Sequence, residues 1–167
     1  MRSRWIAVLL LAAPAWGLSN AGGAEVSAIP SRSELAVGQI VTVTVRIKGA
    51  IGVSSVPFTL AYDPSILEFV PSASEEGTFL SSDGTSTSFL AVGSRRPEGG
   101  TAVVVGLSRL RSDAGVTGRG VLCRLTFRAR APGVATLSFL RASVLDAGSS
   151  PLESVFKDTA VTVRPGR

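Results

Sequence analysis

Along residues 53–70 (VSSVPFTLAYDPSILEFV) apolar and polar positions alternate, break at an acidic corner, and resume. Val56, Phe58, Leu60 and Tyr62 fall on one side of an extended chain; Ser55, Pro57, Thr59 and Ala61 fall on the other. A period of two marks a strand with one buried face. Asp63 can accept backbone N–H groups and Pro64 presets the φ that opens a tight turn, so Tyr62, Asp63 and Pro64 form a structural corner. The chain returns to extended geometry at Leu67, Glu68, Phe69 and Val70.

The same alternation recurs. Val41, Val43, Val45 and Ile47 interleave with Thr42, Thr44 and Arg46 to predict a strand over 40–47. In the strand expected over 120–131, Val121, Cys123, Leu125, Phe127 and Ala129 face one way, and Leu122, Arg124, Thr126, Arg128 and Arg130 the other. Further strands are expected at 25–29, 85–92, 101–107, 135–145 and 159–163. Between them stand turn signals: Gly49 to Gly52, Asp83-Gly84, the 93–100 hairpin loop, the Gly-rich 112–120 segment, Pro132-Gly133 and the 146–154 loop. Thr78, Phe79 and Leu80 read as a short packed insertion. About nine short strands without helical period predict an all-β, jelly-roll β-sandwich.

The first residues change the picture of length. Arg2 and Arg4 precede an apolar run over 5–13, broken by Pro14 and followed by small residues. That is the pattern of a secretory signal peptide, with an apolar core well short of the roughly 20 residues a spanning helix needs. Cleavage is expected between 17 and 24, giving a signal peptide at 1–24, a single domain at 25–164, a secreted or periplasmic location and no stable membrane insertion. The 167-residue chain has 17 basic and 12 acidic residues; without 1–24, which hold Arg2 and Arg4, 15 and 12 remain, a net charge of +3. One domain of that length buries a sufficient core. Cys123 is the one cysteine, so no intrachain disulfide forms.

Candidate chemistry is sparse. The chain has no His, which excludes His-based acid–base and nucleophilic schemes. Cys123 lies on the apolar side of its strand, an inert setting for a thiol. The acids stand mostly in separate loops, without calcium-loop spacing, so no catalytic residue, metal site or cofactor is expected. A sugar platform would use planar aromatics, but both Trp residues precede the domain and its one Tyr points inward. Arg124, Arg128 and Arg130, with Arg46 and Lys48, suggest a basic sheet face. The ordinary reading of such a stripe is a solvated sheet face; an exported protein would not meet nucleic acid there, and an acidic protein or anionic envelope polymer is the sharper expectation.

Several of these residues together resemble the cohesin domain family. They are Val37-Gly38, then Phe58, Tyr62, Asp63, Pro64, Ile66, Leu67, Glu68, Phe69 and Val70. Gly118, Gly120, Val121, Leu122, Leu125 and Phe127, with Pro132-Gly133, extend the likeness across roughly 25–164. The resemblance implies a nine-stranded jelly roll acting as a non-catalytic receptor. Its partner would be dockerin-like or a secretion or envelope component, with a possible link to polysaccharide catabolism. Carbohydrate binding is the alternative, since a class of carbohydrate-binding modules shares the fold. In dockerin-binding relatives an Asn and an Asp sit at the positions of Ser55 and Pro57; here neither side chain is charged, and Pro57 has no N–H. Matching the following strand adds Leu107 and Arg109 to this expected partner-binding face.

Overall fold

The described residues form two sheets, whose long strands lie where alternation is sustained. The computed structural model describes residues 23–110 and 114–166. Its strands are β1 (Ala24–Pro30), β2 (Glu34–Ala36), β3 (Ile40–Val53), β4 (Phe58–Tyr62), β5 (Leu67–Phe69), β6 (Glu75–Glu76), β7 (Thr87–Arg95), β8 (Thr101–Arg109), β9 (Val116–Ala129), β10 (Gly133–Leu140), β11 (Ser154–Lys157) and β12 (Thr159–Arg164). A 3-10 turn at Pro71–Ala73 lies between β5 and β6. The first sheet runs β11-β1-β3-β9-β5, with β6 also on β9; the second runs β2-β12-β10-β4-β8-β7. The expected all-β sandwich is what forms, with twelve strands among the described residues and not about nine. The extra strands β2, β6 and β11 have three, two and four residues, too short to show a period. Two of them join by parallel pairing to sequence-distant partners, β2 to β12 and β11 to β1.

The core lies between the sheets. β3 contributes Val41, Val43, Val45 and Ile47, β9 contributes Leu125 and Phe127, and facing them are Phe58 and Leu60 of β4 with Val103, Val105 and Leu107 of β8. Phe127 sits at the centre, its ring 5.3 Å from Tyr62 and 5.5 Å from Phe69. Phe79 and Leu80 are buried as expected, and Gly84 takes the positive φ (83°) that its turn requires. Residues 1–22, which hold the expected export segment, lie outside the described residues. Ala24 already belongs to β1, its N–H bonded to the Glu153 carbonyl at 2.9 Å.

One expected side-chain pattern is corrected. Along the β3–β9 ladder Val45 faces Cys123, but Arg46 faces Val121, so Leu122 is the extra residue of a β-bulge. The bulge reverses the alternation. Leu122 and Cys123 are both buried, and Val121 shares a side with exposed Arg46 instead of with Cys123. Thr126, expected outside, is also buried: its hydroxyl donates to the Ala73 carbonyl at 2.7 Å and its N–H to Ser74 Oγ at 3.1 Å. The segment after β5 folds over it.

Replacing Phe127 by Ala removes a fully buried ring from between both sheets. Phe127→Ala is expected to lower the unfolding free energy by about 3–5 kcal/mol, read from urea denaturation.

Candidate binding face

The outer surface of the second sheet is set by strand register. Facing outward across β4, β8 and β7, Thr59 pairs with Val104 and Val104 with Val92; Gly106 pairs with Leu90, and Ser108 with Ser88. β10 extends the row, with Leu140 opposite Thr59 and Ser138 opposite Ala61. Leu90, Val92 and Val104 are 56%, 41% and 38% exposed, large values for apolar side chains on neighbouring strands. None of these positions carries a charge. Charge enters at one end, where Arg95, Arg96, Glu98 and Arg141 line a small recess of about 120 Å³. There Arg96 pairs with Glu98 at 2.8 Å, and Arg141 adopts a positive φ of 46°.

Of the four residues expected on a partner-binding face, the structure brings two to this surface. Ser55 and Pro57 lead into β4, both half-buried. The Ser55 hydroxyl lies 2.7 Å from Ser108 Oγ and donates to the Leu107 carbonyl at 3.1 Å. Leu107 and Arg109 turn the other way and are 1% and 7% exposed. The expectation for these two is therefore corrected. Ser55 bridges Ser108, so Ser108 and Gly106 share its side, and a one-residue offset sends Leu107 and Arg109 inward. The run from Ala102 to Val105 is apolar throughout and gives no parity of its own.

Arg109 instead holds the 78–86 segment beneath the start of β7. Its Nη1 donates to the Leu80 carbonyl at 2.5 Å and Asp83 Oδ1 at 3.0 Å; Nη2 donates to Asp83 Oδ2 at 2.7 Å and Thr85 Oγ1 at 2.9 Å. This fork-on-carboxylate geometry makes strong, directional hydrogen bonds. The Arg109 guanidinium, followed by the Thr85 N–H, holds the Asp83 carboxyl far below the usual carboxylate range. At the corner, Asp63 Oδ1 accepts from the Ser65 N–H at 2.8 Å and from the Ser65 hydroxyl, which lowers its pKa. The Asp63 carbonyl accepts from Leu67 N at 2.9 Å, closing the turn after Pro64, while the Tyr62 ring packs on Phe127.

The remaining chemistry is muted. Burial pushes the Cys123 thiol up to about 12, which removes thiolate at ordinary pH. Phe58, Phe69, Phe79 and Phe127 are buried, and Tyr62, Phe89, Phe139 and Phe156 pack against the core. Among the described residues no cluster of His, Cys, Asp or Glu could hold a metal ion, and no helix is long and apolar enough to cross a membrane.

The cohesin domain family model matches residues 26–163. The chain belongs to the cohesin domain family. Its fold is similar to that of a non-cellulosomal cohesin from Archaeoglobus fulgidus, at 19% identity, covering 84% of this chain and 91% of that one, with a TM-score of 0.64. It is also similar to a type II cohesin domain from the cellulosome of Acetivibrio cellulolyticus, at 17% identity, 83% and 94% coverage, and a TM-score of 0.66. A type I cohesin–dockerin complex from Clostridium thermocellum contains a third such fold, at 16% identity, 86% and 94% coverage, and a TM-score of 0.65. No curated protein sequence matches the chain. These likenesses support the cohesin sandwich; the residues of the outer face are this chain's own.

The Asp83–Arg109 pair carries a pH signature. Because the folded-state pKa of Asp83 is depressed, its contribution is present above the ordinary carboxylate pKa and is lost as pH falls toward the folded value. Asp83→Asn is expected to lower the melting temperature near neutral pH. It should also shrink the fall in melting temperature between about pH 5 and about pH 2, measured by calorimetry.

Proposed function

We propose that this cohesin domain is an exported, non-catalytic receptor that captures a dockerin-type protein through the outer face of β10, β4, β8 and β7. The observation that carries the reading is the uncharged surface around Leu90, Val92 and Val104, on a chain of net charge +5. Adjoining exposed apolar side chains of this kind mark protein interaction sites. The solved relatives include cohesins in complex with dockerins, which supports the class of partner. Such a complex would join this chain to a larger assembly, of the polysaccharide-degrading or the envelope and secretion kind.

The chemistry at the face shapes that complex. By the family resemblance Ser55 and Pro57 stand where dockerin-binding cohesins carry an Asn and an Asp, and here Ser55 spends its hydroxyl within the sheet. Affinity then rests on apolar packing at Leu90, Val92 and Val104, with the Arg95, Arg96 and Arg141 rim favouring acid on the partner. Rim charge acts mainly on encounter rate and partner choice. A neutral-glycan platform is poorly supported, because the aromatic side chains are committed to the core.

Affinity capture from the source organism's envelope and culture medium tests the reading. The wild-type domain is expected to recover a protein bearing dockerin calcium loops. Leu90→Asp combined with Val104→Asp should weaken capture by about tenfold or more, whereas Val155→Asp, on exposed β11 of the other sheet, should leave it unchanged. Equal recovery by both variants would move the site off this face.

A further inference from the structure

On the opposite side of the sandwich, a groove of about 630 Å³ crosses β1, β3 and the start of β9. Ser27 and Ile29 of β1, Arg46 and Lys48 of β3, and Arg119 and Gly120 of β9 line it. Glu25 is its acid, and that carboxylate is already taken. Lys48 reaches it at 2.9 Å and Lys157 at 2.7 Å, and the bonds from Lys157 and then Lys48 lower its pKa, so it stays ionised and doubly engaged. Among the described residues no ion pair engages Arg46 or Arg119, both of them exposed. Four cations thus surround one carboxylate. Farther along β9 the same face carries Arg124, paired with Glu75 at 3.0 Å, and Arg128, opposite Glu68 of β5.

The arrangement selects an occupant by exclusion as well as by charge. β1 and β3 are interior strands of their sheet, with backbone groups paired on both sides along the groove: β1 to β11 and β3, and β3 to β1 and β9. A peptide laid across β1 and β3 finds no open edge for strand addition, so its backbone would go unrecognised there. Among the described residues no aromatic side chain lines the groove, so bases or neutral sugars have no stacking surface. Side-chain cations aimed at solvent from a flat, hydrogen-bonded floor are what remain. Arg presents a planar fork matched to carboxylate groups. Neighbouring strands lie about 4.8 Å apart, and alternate residues about 6.6 Å, so the cations form a closely spaced array suited to a polymer with repeating charge.

We propose that this groove binds an acidic polysaccharide, with Arg46 and Arg119 taking its carboxylates. It stands apart from the protein-docking face, so a polymer and a protein partner would be held at once.

The test uses the full chain and polygalacturonate at low ionic strength, with affinity measured by titration calorimetry and folding checked by circular dichroism. Arg46→Glu with Arg119→Glu is expected to weaken binding by about tenfold or more. Arg95→Glu with Arg141→Glu makes the same change in net charge on the other face, and should leave affinity within about twofold. If the first pair fails to fold, Arg46→Gln with Arg119→Gln substitutes for it, with the same direction expected. Equal losses in the two double variants would reduce the effect to net charge and overturn the site. Absence of polygalacturonate binding, or tighter binding of poly-glutamate, would overturn the polysaccharide assignment.

Discussion

The pairing of β3 with β9 is the constraint on which the rest of the molecule depends. It runs from Ile40 opposite Arg128 to Val53 opposite Val116, with irregular register at three places. Both strands are interior to their sheet, and each presents a dense apolar inner row. The bulge at Leu122 divides β9 into two stretches of opposite parity. One stretch seats Leu125 and Phe127 under the second sheet, and the other turns Arg119 out beside Arg46. A straight ladder would have buried Val121 in place of Leu122 and changed what the outer face offers.

The free edge of β9 then organises the segment after the corner. β5 pairs with it from Leu67 to Phe69, Val70 bonds to Thr126, β6 pairs at Glu75 and Glu76, and Gly77 and Phe79 continue along it. Gly77 is required there: a Cβ would lie 2.2 Å from the Val121 carbonyl oxygen. This path delivers Phe79 and Leu80 to the core and Asp83 to Arg109. The ion pair therefore joins the first sheet's edge segment to β8, and the 78–86 loop enters β7 from a fixed point. The uncharged outer face is a consequence of that anchoring, because β7 supplies Leu90 and Val92 to it.

How much of this was legible depends on the length over which a pattern persists. The alternation in β3 and the Tyr62-Asp63-Pro64 corner each specify geometry within a few residues, and the structure places both as read. β2, β6 and β11 hold their places through partners far away in sequence, so nothing local announces them. Leu107 and Arg109 expose a different limit. A strand over 101–107 is legible, but its apolar run from Ala102 to Val105 leaves the facing ambiguous, and only the family likeness turns Leu107 and Arg109 outward. The partner that holds Arg109 inward is Asp83. It stands in the Asp-Gly turn three residues past the packed Phe79-Leu80 pair, and its carboxylate takes the fork of the buried Arg109.

Charge is distributed unequally over the two broad faces, and burial alone does not explain it. Both faces are outer surfaces of sheets with equally apolar inner rows, so either could have been solvated by ordinary mixed charge. One instead leaves Leu90, Val92 and Val104 in water with charge at its rim, at Arg95, Arg96, Glu98 and Arg141, while the other gathers Arg46, Lys48, Arg119 and Lys157 around Glu25. Each arrangement costs something in the isolated domain, exposed apolar area on one side and cation repulsion on the other. Both costs fall when a complementary surface is present, and the complements differ: an apolar protein face for the first, a repeating anion for the second. A sandwich about two side-chain layers thick keeps those surfaces on opposite sides, so occupation of one leaves the other open.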